Sequence, residues 1–244
     1  MATEAGRPAF YALAPGGWRD YVTLLHPPYT AWHLSYVAIG AALTPAFAWD
    51  RLLLTLAAFF LAVGIGAHAL DELKGRPLNT RIPDGMLLGL AVVSIVSAVA
   101  LGVLGAFTMT PWLVVFIAAG GFIVVAYNLE LVGGRFHGDF WFALAWGSFP
   151  LVTAYFAAAE QLDAVVAAGA IFAFLLSHAQ RLLSTPVRDV RRRVTHVEGR
   201  IDRRDGSSEP VTGELLLRGN EGALRALALA TVALAAALVI MRTT

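Results

Sequence analysis

His68, Asp71 and Glu72 stand at i, i+3 and i+4, a spacing that gathers an imidazole and two carboxylates on one face of a helix. They close a long apolar run and open the polar stretch Gly66 to Gly85, GAHALDELKGRPLNTRIPDG. An imidazole beside carboxylates is a donor set that suits a transition metal. Polar groups at membrane depth cost too much to be incidental unless they face a bundle interior or a wet cavity. The plainer reading is a helix end surfacing into water, with Asp71 and Glu72 as solvated flanks.

The elements that must position these residues are membrane spans. Hydrophobic residues make up 58% of the chain and charged residues 14%, a polytopic membrane composition. Several apolar runs reach the roughly 20 residues that cross a bilayer. We read spans over 31–49, 52–70, 86–109, 111–127, 140–159, a sixth starting near Ala164 and running into Arg181, and 223–241. This is an all-α, polytopic transmembrane bundle. The chain divides into an N-terminal interfacial segment (1–30), a six-span bundle (31–185), an arginine-rich loop (186–221) and a last span with the C-terminus (222–244). The absence of cysteine excludes disulfides, thiolate metal sites and cysteine nucleophiles. His26-Pro27-Pro28 stops any local helix before the first span.

A net charge of +1 hides an asymmetry. Alternating loops place Arg7, Arg19, Lys74, Arg76, Arg81, Arg135, Arg181 and the arginines from Arg188 to Arg225 on one side, leaving Arg51 and Arg242 on the other. By the positive-inside rule the N-terminus and the polar loops after the second, fourth and sixth spans are cytoplasmic. The arginine run Arg191-Arg192-Arg193 is read first as a topology signal and second as a contact for anionic lipid or diphosphate. No nucleic-acid module accompanies it. The end of the second span, around His68, is echoed at the end of the sixth by Ser177-His178-Ala179-Gln180-Arg181. Two halves of a bundle would then present polar helix ends to one cavity.

Three segments resemble the UbiA-type intramembrane prenyltransferases: Arg76 to Leu101 (RPLNTRIPDGMLLGLAVVSIVSAVAL), His26 to Leu43 (HPPYTAWHLSYVAIGAAL) and Tyr127 to Ala157, with its Tyr, Gly, Gly and Pro landmarks. The resemblance implies a helical bundle around a central cavity open to the cytoplasm and to lipid, in a prokaryotic plasma membrane. It implies transfer of an isoprenoid chain from a prenyl diphosphate to a hydrophobic acceptor, aromatic or lipid, with Mg2+ held by aspartate-rich motifs. The family's N-D-x-x-D-x-x-x-D pattern falls on Ala67, His68, Asp71 and Gly75, so only Asp71 is kept. The second acidic motif is replaced by His178, Gln180 and Arg181, and the family's nine helices become about seven.

Three site readings follow. In the first, Asp71 and Glu72 hold magnesium and act in catalysis while Arg76, Arg135 and Arg181 grip the diphosphate. In the second, His68, His178, Asp71 and Glu72 form a transition-metal site. In the third, Asp71 pairs with Arg181 in place of metal, leaving a lipid-binding or complex-assembly protein with a partner in the membrane. His68, Tyr127, Trp146, Tyr155 and His178 are the expected cavity residues. Trp112, Trp141 and Trp146 read first as packing or interface anchors; if the cavity holds an allylic cation, Tyr127, Trp146 and Tyr155 are the candidates to face it.

Overall fold

Pro27 and Pro28 do not merely stop a helix; they start one. In the computed structural model, which describes residues 7–244 and leaves 1–6 of the N-terminal segment outside the described residues, both prolines sit at the first positions of α2 (Pro27–Ala42). There a missing N–H costs nothing. His26 precedes them with φ 46 and turns the chain out of the short α1 (Trp18–Leu24). The long helices are α3 (Trp49–Leu73), α4 (Asp84–Thr108), α6 (Asp139–Ala159), α7 (Ala164–Arg192) and α8 (Gly213–Met241). These five are long and apolar enough to cross a membrane. With α5 (Leu113–Asn128) they form a mostly helical bundle, consistent with an integral membrane protein.

Several boundaries differ from the sequence reading. The first span was read to Trp49, but α2 ends at Ala42 and Trp49 opens α3, because Pro45 interrupts the run. The sixth helix was ended before Pro186, yet α7 continues through it to Arg192. Its apolar face persists beyond the proline, with Val187 buried and Val190 packed on the same cluster as Leu217 and Leu224. What remains of the polar loop is a hairpin, β1 (Arg200–Asp202) against β2 (Ser208–Pro210), antiparallel with Ile201 opposite Glu209. The last helix then starts at Gly213, ten residues before the expected span.

The core is organised around α2, which packs mainly on α6 and α8. Its Trp32, Tyr36 and Val37 are fully buried, as expected of a helix enclosed on most sides. Its polar groups are satisfied internally: Trp32 Nε1 donates to the Tyr36 hydroxyl (2.7 Å) and Ser177 Oγ donates to the same oxygen (3.1 Å). Close approach of α2 to α6 depends on Gly40, where a Cβ would lie 2.2 Å from the Leu151 carbonyl oxygen.

Two helices carry π segments, Phe60–Ala67 in α3 and Leu144–Ser148 in α6. A π turn inserts a residue and leaves carbonyls without their usual i+4 partner. Here His68 Nδ1–H donates to Gly64 O (3.1 Å) and His33 Nδ1–H donates to Trp146 O (2.8 Å).

Candidate functional site

The polar stretch after α3 folds onto itself. Glu72 is fully buried, and its carboxylate accepts from Leu78 N (2.9 Å), Thr80 N (2.8 Å) and Thr80 Oγ1 (2.8 Å). Arg76 pairs with Asp84 and donates to the carbonyls of Thr80 and Ile82. Glu72 and Arg76 therefore clamp the loop between α3 and α4 and do not line the site. The sequence reading expects them as metal and diphosphate ligands; here both are engaged by the loop. Asp20 holds the same loop from outside, accepting from Arg81 N (3.0 Å).

The π segment of α3 and the end of α7 enclose a polar cavity of about 310 Å³. Asp71 and His68 come from α3, Tyr127 and Asn128 from α5, and Trp146 from α6; α7 adds Gln180, Arg181, Ser184, Arg188 and Arg192. His26, Tyr29, His33 and His137 complete the polar wall, and Pro8 to Tyr11 cross one side. Of the expected residues, the cavity brings together His68, Asp71, Tyr127, Trp146 and Arg181.

Besides Glu72, four others lie elsewhere. Arg76 is in its loop clamp, and Arg135 stands exposed outside the lining. Tyr155 follows Trp146 by nine residues, roughly 13 Å along a helix, and its hydroxyl donates to Asp163 (2.5 Å) at the far end of the bundle. His178 lies outside the lining, its ring near-parallel to Phe174 at 6.3 Å. The expected Asp71–Arg181 pair is also replaced: Arg181 Nε binds Asp139 Oδ1 at 2.8 Å. Among the described residues no donor closes on the Asp71 side chain.

The charge of this wall is strongly positive. Arg181, Arg188, Arg192 and Arg193 line the cavity against one carboxylate among the described residues, Asp71; Arg193 is itself paired with Asp189. Arg188 donates to Thr185 and has no carboxylate partner among the described residues. His33, His68 and His137 each donate Nδ1–H to a backbone carbonyl, that of Tyr127 in the last case (3.0 Å). Their neutral forms thus keep Nε2 as an acceptor. The His26 and His68 rings stack at 4.0 Å, and the Tyr11 hydroxyl bonds His26 Nδ1 (2.9 Å). Burial holds His26 well below its ordinary 6.5, and the neighbouring charges of His68, Arg192, Arg188 and His33 add to the effect. Burial likewise raises the Tyr11 phenol, helped by Tyr29.

A magnesium centre needs several oxygens converging on one point. The cavity supplies Asp71 alone, Glu72 being spent on the loop, and among the described residues no three His, Asp or Glu gather to hold a metal. These residues do not fit a protein-built magnesium pair or the four-residue transition-metal site. They fit an anion held by guanidinium groups.

Beside the polar cavity runs an apolar groove of about 110 Å³ between α3, α4, α5 and α6. Leu54, Phe59, Ile95, Gly102, Phe116 and Phe149 are among its walls. Val63 and Trp146 belong to both spaces.

The arginines of the site were partly legible. Gln180, Arg181, Ser184, Val187 and Arg188 follow a helical stripe of i, i+1, i+4, i+7 and i+8, which a boundary drawn at Pro186 cuts in two. Tyr11 and His26 gave no local signal, because only long-range packing brings them to α3. Comparison of the chain with protein-family models, with curated proteins and with solved structures finds no match.

Proposed function

We propose that the protein binds a prenyl diphosphate and transfers its isoprenoid chain to a hydrophobic acceptor, aromatic or lipid. The observation that carries this reading is an arginine-lined cavity and an apolar groove that lie side by side, with Val63 and Trp146 lining both. The scaffold is a seven-span relative of the UbiA-type prenyltransferases, with α2 and α5 as the additional spans. The basic ends of α3 and α7, and the N-terminus, face the cytoplasm, in keeping with the positive-inside rule.

In this reading Arg181, Arg188 and Arg192 take the role that metal ions play in the resembled family. Guanidinium pairs with phosphate oxygens in a bidentate fork and keeps its charge at any physiological pH. As the allylic carbon–oxygen bond breaks, its electron pair leaves with the diphosphate, where the three arginines neutralise it. The acceptor forms the new bond to that carbon and loses a proton to Asp71. Tyr127 and Trp146 offer ring faces to the transient cation.

A second reading, a non-catalytic lipid-binding or assembly protein on the same scaffold, is favoured by one fact: Glu72, the other candidate carboxylate, is consumed by the loop. Thermal stability of the purified chain in detergent with geranylgeranyl diphosphate, with and without magnesium, tests the leading proposal. Stabilisation without magnesium that is lost in Arg188→Gln supports it. Stabilisation that needs magnesium and Asp71 would replace arginine recognition by a metal-bearing site, and no stabilisation would sink diphosphate binding. Release of pyrophosphate from labelled substrate separates the enzyme from the lipid-binding reading.

A further inference from the structure

The segment Arg7 to Leu13 crosses the cavity without regular secondary structure. Its one backbone bond to itself is Ala12 N to Ala9 O (3.1 Å). Segments with few internal bonds open at low cost, so what holds this one must come from its neighbours. At its base Leu13 N donates to Thr23 Oγ1 and Gly16 N donates to Asp20 Oδ1. Over the cavity it is held by the last turn of α7: Arg191 Nη1 donates to Arg7 O (3.1 Å) and Arg192 Nε donates to Pro8 O (3.3 Å). Phe10 lies under the Arg225 guanidinium at 4.8 Å, and Tyr11 reaches His26.

Arg191 and Arg192 differ in what else they do. Arg191 is fixed by a bidentate pair with Glu221, at 2.5 and 3.0 Å, and both side chains are buried. Arg192 uses only its Nε edge on the segment, and the residue also lines the cavity. Its two Nη groups have no hydrogen-bond partner among the described residues. One guanidinium can thus hold the strap on one edge and an anion on the other.

We propose that residues 7–13 form a lid over the cavity, and that an anion bound between Arg188 and Arg192 locks it down through Arg192. The proposal rests on the anion reading of the cavity. Coupling of this kind is reciprocal: the anion favours the closed lid, and the closed lid favours the anion.

The chain has no cysteine, so a single Ala9→Cys variant reports on the lid. Ala9, within the lid, is buried against Ala12 and Leu78, and a maleimide reaches the thiol only when the lid lifts. The variant in nanodiscs is labelled with and without inorganic pyrophosphate, and its melting temperature is followed in the same samples. Ser207→Cys, in the remote hairpin, is the control. We expect pyrophosphate to raise the melting temperature and slow Ala9→Cys labelling at least fivefold, leaving Ser207→Cys unchanged. Arg192→Lys, which keeps the charge but loses the fork, should still be stabilised by pyrophosphate without protecting the thiol. Binding that leaves the labelling rate unchanged would overturn the lid while the anion site stands. The absence of any pyrophosphate stabilisation would remove both.

Discussion

The imidazole rings of His26 and His68 lie 4.0 Å apart and within 8° of parallel, joining the turn before α2 to the π-wound end of α3. Tyr11, His68, His33, Arg188 and Arg192 surround His26, so a proton on its ring meets burial and like charge together. Its value is depressed in the folded chain. As pH falls through 6.5 the unfolded chain takes up a proton that the folded one resists, so stability is retained above 6.5 and declines below it. His26→Asn, a side chain suited to the left-handed backbone at this position, should flatten that decline. Melting temperatures between pH 5 and 8 check it.

Glu72 is predicted to matter for stability and not for the anion. In Glu72→Ala, two buried backbone N–H groups and the Thr80 hydroxyl lose their acceptor, at a cost of roughly 2–5 kcal/mol. Glu72→Gln keeps one acceptor oxygen and should cost less. If the Gln variant folds but no longer binds pyrophosphate, the loop-clamp role is wrong.

At the α2–α6 contact, Gly40→Ala places a methyl group 2.2 Å from a backbone carbonyl oxygen. Two core helices must separate to accept it, which costs roughly 1–3 kcal/mol. Denaturation in detergent should register the loss. An unchanged midpoint would mean that the helices are less tightly seated than their geometry states.

The shared wall at Val63 gives a substitution that separates head from tail. If the tail of a bound diphosphate passes this wall into the groove, Val63→Trp should weaken geranylgeranyl diphosphate at least tenfold while leaving pyrophosphate binding within about twofold. Equal loss of both would indicate collapse of the cavity instead. Titration calorimetry in nanodiscs measures the two ligands side by side.

Much of the bundle could be read from hydrophobic run lengths, because a long apolar segment has few alternatives to a membrane helix. The polar loop expected from Pro186 begins later, because α7 passes through the proline with Val187 buried. Of the residues assigned to the site, His68, Asp71, Tyr127, Trp146 and Arg181 share one cavity. Glu72 has the right position one residue after Asp71, but the next position on a helix points about 100° away. That rotation puts its carboxylate under the loop. The lid, the His26 stack and the groove depend on contacts between distant segments, which no local spacing encodes.

The account stands most directly on one series: affinities of dimethylallyl, farnesyl and geranylgeranyl diphosphate for the protein in nanodiscs without magnesium, corrected for partition into protein-free discs. If the head sits among Arg181, Arg188 and Arg192 and the tail passes Val63 and Trp146 into the groove, each added isoprene unit tightens binding several-fold, and Arg188→Gln weakens all three alike. A flat series, or one unaffected by Arg188→Gln, would contradict it.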